Sequence, residues 1–278
     1  MNKNLILIDT SYTLFHRYFA TLRWLSLAHP ELYKEKHNKE FNWIENSIFL
    51  EKYEKLYYEN ILKLIGKKIL KDDYTIIFCM DTPRSQVWRT ELNCNYKGDR
   101  FDLTTKFNFI PLFKYTYDVI IPKLIKENEH IFKIKIPKLE ADDVIAIICK
   151  YMEQKPDNKI YLISGDKDFL QLGRSNLYFI NFTTKKLMEL NQEEAKLLLH
   201  KKLLLGDKSD CIKSIFPPRF PSKIKKSLVE SIDNFNDFIK NNDDIKKNYI
   251  HNSELINFDL IPNKYRELVI NKIHKINL

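Results

Sequence analysis

Nine carboxylates carry most of the chemistry that this chain can offer, and their positions follow a pattern. Asp9 closes the apolar run Leu5–Ile8, Asp81 closes Thr75–Met80, and Asp166 and Asp168 follow Lys159–Ile163 across Gly165. Glu140-Ala141-Asp142-Asp143 opens an amphipathic stretch, and Asp207 and Asp210 share the block Gly206-Asp207-Lys208-Ser209-Asp210. Taken singly these acids have ordinary uses. Asp starts turns and caps helices, acids favour a helix's first turn, and Asp166-Lys167-Asp168 is equally readable as a cap before Phe169–Leu172. Gathered in one pocket they would repel one another and resist ionisation unless cations neutralised them. Glu140 and Asp143 are three apart, so a helix would turn both toward one centre. All-oxygen ligands suit hard ions, Mg2+ or Mn2+, better than zinc. Two such ions about 4 Å apart can stabilise both the attacking and the leaving oxygen of a phosphoryl displacement. No Ser, Cys or His nucleophile constellation competes, and the five glycines form no phosphate-cradling loop.

The elements that would position these acids are short strands alternating with helices. Leu5–Ile8, Thr75–Met80, Ile131–Ile136, Lys159–Ile163 and Leu177–Asn181 read as strands, and 44–70, 111–127, 140–153 and 191–205 as helices. That alternation predicts βαβ units and an α/β fold with a mostly parallel central sheet flanked by helices. In such sheets ligands collect beyond the carboxyl ends of the strands, the edge to which these runs deliver their acids. From residue 206 a Pro- and Lys-rich texture sets in, so we expect an α/β core over 1–205 and a small helical subdomain over 206–278. The segment 22–70 reads as an insertion, with Phe49, Tyr53, Leu56, Tyr57, Ile61 and Leu64 at helical spacing for packing on the core.

Bulk properties bound the function without deciding it. A hydrophobic content of 44% over 278 residues is ample for a sizeable core. The net charge of +9 fits an anionic partner, although a Lys- and Asn-rich chain is also what AT-rich coding produces. No apolar run reaches the ~20 residues of a membrane span, and the N-terminus reads as a buried strand rather than a signal peptide. Four scattered cysteines without a CxxC pair fit a reducing compartment, so an intracellular, soluble protein is expected. The seven histidines are dispersed and suggest no ligand set.

Six blocks in order then resemble one family: Leu7-Ile8-Asp9, Met80-Asp81, Tyr96-Lys97-Gly98-Asp99-Arg100, Leu139-Glu140-Ala141-Asp142-Asp143, Ser164-Gly165-Asp166-Lys167-Asp168-Phe169 and Gly206-Asp207-Lys208-Ser209-Asp210. Their wording and spacing are similar to the 5′ nuclease (flap endonuclease) superfamily, in its phage and bacterial 5′–3′ exonuclease branch with a PIN-like fold. The resemblance implies that all nine acids, Asp9, Asp81, Glu140, Asp142, Asp143, Asp166, Asp168, Asp207 and Asp210, hold two active-site Mg2+ or Mn2+ ions. It implies that Lys97 and Arg100 orient the scissile phosphate from the base of a helical arch near 85–127, with Arg89 and Tyr96 as further DNA contacts. A helical turn would aim Lys97 and Arg100 at one phosphate, and Tyr96 would stack on a base. It also implies a helix–three-turn–helix element near 206–227, where Lys213, Lys223, Lys225 and Lys226 meet duplex phosphates and a K+ ion sits.

Departures from the family pattern concentrate there. Cys211-Ile212-Lys213-Ser214 and a Pro-rich run stand where glycines usually let backbone N–H groups approach phosphate. His16 takes a position often basic, with Arg17 beside it as the substitute. The expected substrates are branched, flapped or nicked DNA, or an RNA–DNA hybrid, cut by a monomer. No clamp-binding pattern shows in Leu255–Leu278. A catalytically silent branched-DNA-binding protein and a PIN-type ribonuclease are the alternatives.

Overall fold

A computed structural model of the chain describes residues 4–71, 73–98 and 107–276. Its centre is a six-stranded sheet built from β1 (Asn4–Asp9), β2 (Tyr74–Met80), β3 (Ile131–Lys135), β4 (Lys159–Ile163), β5 (Leu177–Ile180) and β6 (Leu187–Glu189). The order is β3-β2-β1-β4-β5-β6, with β1 to β5 parallel and β6 antiparallel to β5. The five strands expected from sequence are present. The short, exposed β6 escaped notice because Leu187-Met188-Glu189 is too brief to show a period.

Every residue of β1 is buried because both faces of the sheet are covered. Leu5, Leu7, Ile77, Cys79, Ile160 and Leu162 meet the helix Ala141–Tyr151 and the C-terminal helices on one side. Ile6, Ile8, Ile76, Phe78, Tyr161 and Ile163 face the other side, against Thr10–Ala28 and Ser47–Ile65. This two-sided cover explains why the strands read as continuous apolar runs rather than alternating ones.

The supposed insertion is structural. Residues 22–28 finish the helix Thr10–Ala28, and Ser47–Ile65 lies against it with Phe49, Tyr53, Tyr57, Ile61 and Ile65 buried along one stripe. After β2 the chain runs through the short helix Arg89–Leu92 and returns through Ile110–Tyr115, a π-helical turn at Thr116–Ile120, and Ile121–Glu127. Pro122 has no N–H to give and would crowd the carbonyl four residues back, and the wider turn before it relieves that conflict. Beyond 206 come the helices Ser222–Glu230, Ile232–Phe238, Asp243–Ile256 and Asn263–Lys275. They pack on Gln192–Leu205 and Ala141–Tyr151, and Phe235, Leu255 and Ile273 join the apolar cluster that begins at Leu5. The C-terminal quarter therefore shares the core of the sheet.

Candidate active site

The strand order reverses direction between β1 and β4, and the first group of acids gathers at the carboxyl edge of that switch point. Asp9 ends β1 and caps the following helix, accepting from Tyr12 N at 3.1 Å through Oδ1 and from Ser164 Oγ at 2.9 Å through Oδ2. Asp81 follows β2; its Oδ1 accepts from Ala141 N at 2.7 Å and its Oδ2 from the Ser11 hydroxyl. Ser11 Oγ in turn lies 3.0 Å from the Tyr117 hydroxyl, which ties Asp81 to the π-helical turn. Asp142 stands in the first turn of Ala141–Tyr151, and Asp166 caps the turn Lys167–Leu172, accepting from Asp168 N at 2.9 Å.

These four crowd one another at that edge. Burial first, then Asp81 and Asp166, pushes the Asp9 carboxyl up to about 7. Burial also raises Asp81, and it raises Asp142 strongly against the opposing pull of Lys97, with Asp9 and Asp166 adding to the rise. Among the described residues, no lysine, arginine or histidine forms an ion pair with Asp9, Asp81, Asp142 or Asp166.

A second group comprises Asp168, Asp207 and Asp210, which offer carboxylate oxygens within 4.8 Å of one another. Lys202, in the last turn of Gln192–Leu205, hydrogen-bonds Asp168 Oδ1 and lies 2.7 Å from Asp207 Oδ2. Asp207 also accepts from Ser209 N at 2.8 Å and Ser209 Oγ at 2.6 Å. Burial alone would raise the Asp207 carboxyl, but Lys202 and Ser209 outweigh it and hold the group down at about 2. Asp168 is raised, because burial and Asp166 outweigh Lys202.

Between the groups lies a buried ionic hub. Glu140 Oε1 accepts from Lys97 Nζ at 2.5 Å, and Oε2 from Tyr96 OH at 3.1 Å and Arg89 Nη1 at 3.2 Å. Despite burial, Lys97 and Arg89 hold the Glu140 carboxyl below its usual range. Asp143 is fully buried and shares Arg89 with Glu140: Arg89 Nη1 is 2.7 Å from Oδ1, and Trp88 Nε1 donates to Oδ2 at 3.0 Å. Glu140, Asp142, Asp168, Asp210, Lys202, Arg89 and Tyr96, with Leu255, Ile256 and Phe258, line a narrow cleft of about 10 Å³. That is roughly the space of one water.

Residues 4–199 match the family described as "5′–3′ exonuclease, N-terminal resolvase-like domain". The chain belongs to this 5′–3′ exonuclease family. It is 29% identical over 236 residues to the ribonuclease H of Enterobacteria phage T4, covering 79% of this chain and 76% of that protein. It is 28% identical over 228 residues to a 5′–3′ exonuclease of Buchnera aphidicola (strain APS), covering 78% and 75%. Among solved structures, the phage T5 D15 protein co-crystallised with metal ions superposes with a TM-score of 0.63, at 18% identity over 98% of this chain and 99% of that one. A T5 D15 flap endonuclease in a pseudo-enzyme–product complex with DNA and metal ions gives 0.64 at 19%, covering 98% of each chain. These T5 likenesses establish the PIN-like nuclease fold.

In this 5′–3′ exonuclease the basic residues sort differently from their expected roles. Arg89 is 2% exposed and spent on Glu140, Asp143 and the Leu255 carbonyl. Tyr96 is 5% exposed, with its hydroxyl on Glu140, so no face is open for a base. Arg17 lies on the inward side of its helix, with Nε 3.2 Å from Thr21 Oγ1. All three lie inside the fold rather than on the surface where their charge and aromaticity suggested. Lys97 has φ 58°, so it sits in a left-handed turn rather than a helical one, and its ammonium is buried on Glu140 with Asp210 Oδ2 at 3.9 Å. Arg100 lies outside the described residues. Lys213, Lys223 and Lys226 are exposed, whereas Lys225 is half-buried, with Nζ 5.4 Å over the Phe216 ring. Sequence reasoning missed Ser11, Trp88, Tyr117 and Lys202. Only Ser164 lay inside a recognised block.

Proposed function

We propose that this 5′–3′ exonuclease cuts phosphodiesters in branched, flapped or nicked DNA, RNA-primed DNA included, with two Mg2+ or Mn2+ ions at the acidic cluster. One observation carries the reading. Asp9, Asp81, Asp142 and Asp166 converge where the sheet switches direction, without an ion-pair partner among the described residues. Their charge when ionised has to be met by a cation from solution. The donors are all oxygen, which suits a hard ion. Asp9, Asp81, Asp142 and Asp166 would hold one, and Asp168, Asp207 and Asp210 the other. Such ions stabilise charge on phosphoryl oxygens and make a bound water more acidic. Asp143, ion-paired with Arg89 and accepting from Trp88, would support Arg89 instead.

The chain itself supplies position and charge. Lys97 is buried on Glu140 behind the acids, so its positive charge would act on a bound phosphate through the field of the site rather than by surface contact. Arg89 and Glu140 fix that lysine from below. The exposed Lys213, Lys223 and Lys226 would grip duplex phosphates, which positions a substrate without reading its sequence. The same reading includes a K+ ion in the turns between 206 and 227, and a chain that works as a monomer.

Cleavage of end-labelled 5′-flap, nicked and RNA-primed duplexes in Mg2+, with single-stranded RNA beside them, tests this. Cutting near the single-strand/duplex junction should stop with EDTA and return with Mg2+ or Mn2+. Asp81→Ala should lose about a thousandfold or more in single-turnover rate, as expected when an ion worth several kcal/mol is lost. Undiminished cleavage by Asp81→Ala, or EDTA-resistant cleavage, refutes the assignment. Preference for single-stranded RNA would favour a ribonuclease.

A further inference from the structure

The two carboxylate groups differ in how their charge is met within the chain. Asp9, Asp81, Asp142 and Asp166 have no ion-pair partner among the described residues, whereas Asp168 and Asp207 are bridged by the Lys202 ammonium. Two lysines reach the acidic cleft, and their settings contrast. Lys97 is sealed in, with its side chain 8% exposed and Tyr96 and Glu140 around it. Lys202 has a side chain 20% exposed and comes from the last turn of its helix, so it has an open route to solvent.

We infer that Lys202 is a built-in counter-ion, which holds Asp168 and Asp207 together in the ion-free enzyme and has to swing out before a divalent ion can use their oxygens. The inference rests on the two-ion reading above. A divalent ion binds oxygens at about 2.0–2.6 Å, and the ammonium already lies 2.7 Å from Asp207 Oδ2 and is hydrogen-bonded to Asp168. Both cations cannot share those oxygens without like charges in near contact. Entry at the Asp168–Asp207–Asp210 group is thus coupled to lysine release, and this position fills second and more weakly.

Mn2+ titration by calorimetry, with thermal melts in EDTA and in Mn2+, tests the coupling. Wild type should show one tighter and one weaker site. Lys202→Met should tighten the weaker site by about tenfold, a usual size for coupling between two binding events. It should also lower Tm in EDTA, with Mn2+ restoring most of the loss, while Lys202→Arg keeps the wild-type weak affinity. A lysine needed only for packing would lower Tm in both conditions and tighten nothing, which would overturn the inference. A second measurement needs no variant: acetylation of Lys202 in wild type, read by peptide mass, should be slow in EDTA and faster in Mn2+. Equal rates would overturn the inference while leaving two bound ions intact. Wild type that binds no Mn2+ would instead overturn the two-ion reading and this inference with it.

Discussion

At the scale of single residues, Asp9 shows how the site couples protons to ions. Its carboxyl is pushed up to about 7 by burial and by the neighbouring Asp81 and Asp166, against 3.8 in an unfolded chain. Between those values the folded protein holds a proton that the unfolded chain has released. Stability of the ion-free protein therefore falls as pH rises through that window. Asp81, Asp142 and Asp168 are raised as well and add to the trend. Asp207 has the opposite sign: held at about 2, it stabilises above pH 3.8 and loses that contribution as pH falls through about 2. Thermal melts in EDTA should show Tm declining from about pH 4 to about pH 7. In Mg2+ the decline should flatten, because the ion replaces the protons. A Tm that rises across this range in EDTA would contradict the burial and crowding of these acids.

At the scale of elements, the turn from Gly206 to Ile212 decides where two of the acids stand. Asp207 N donates to Ile212 O at 2.9 Å and Ile212 N returns to Asp207 O at 2.8 Å, closing a loop around Lys208–Asp210. Gly206 enters this loop with φ 72°, and a Cβ there would lie 2.4 Å from the Ile212 carbonyl oxygen. Gly206→Ala should therefore cost roughly 1–3 kcal/mol from backbone strain alone, and more from the clash with that carbonyl. Urea unfolding should show the loss, and Mn2+ titration should show a weaker second site with the first unchanged. Equal stability would mean that the loop rearranges freely. The segment 110–127 acts in a similar way on the other group, since the turn Thr116–Ile120 places Tyr117 beside Ser11 and so behind Asp81.

At the scale of the whole molecule, a net charge of +9 coexists with a strongly acidic cleft, so the basic surface has to lie elsewhere. Lys213, Lys223 and Lys226 expose ammonium groups at and near the helix Ser222–Glu230. Binding of flap DNA in Ca2+, followed by anisotropy from about 50 to about 200 mM KCl, should weaken with salt through counter-ion release. The double variant Lys223→Ala/Lys226→Ala should bind more weakly on every duplex and lower the slope by about 0.9 for each phosphate that a lysine no longer neutralises. An unchanged slope would place the duplex elsewhere.

Much of this was legible in the sequence because it is local. A parallel strand delivers the residue after it to a known edge, so Asp9, Asp81 and Asp166 could be placed from runs of a few apolar residues. The acid blocks, their order and the α/β class followed from the same short-range patterns. Burial and partner choice are not local. Arg89 reads as a surface cation until Asp143 and the Leu255 carbonyl close around it from 54 and 166 positions away. Tyr96 reads as a stacking platform until Glu140 takes its hydroxyl. Lys202 carries no motif at all, and its position between Asp168 and Asp207 exists only once a helix and two turns have packed together. The sequence by itself determined which acids stand at the edge of the sheet. Tertiary packing decided which of them meet a cation supplied by the chain, because that depends on groups brought together by folding rather than by adjacency.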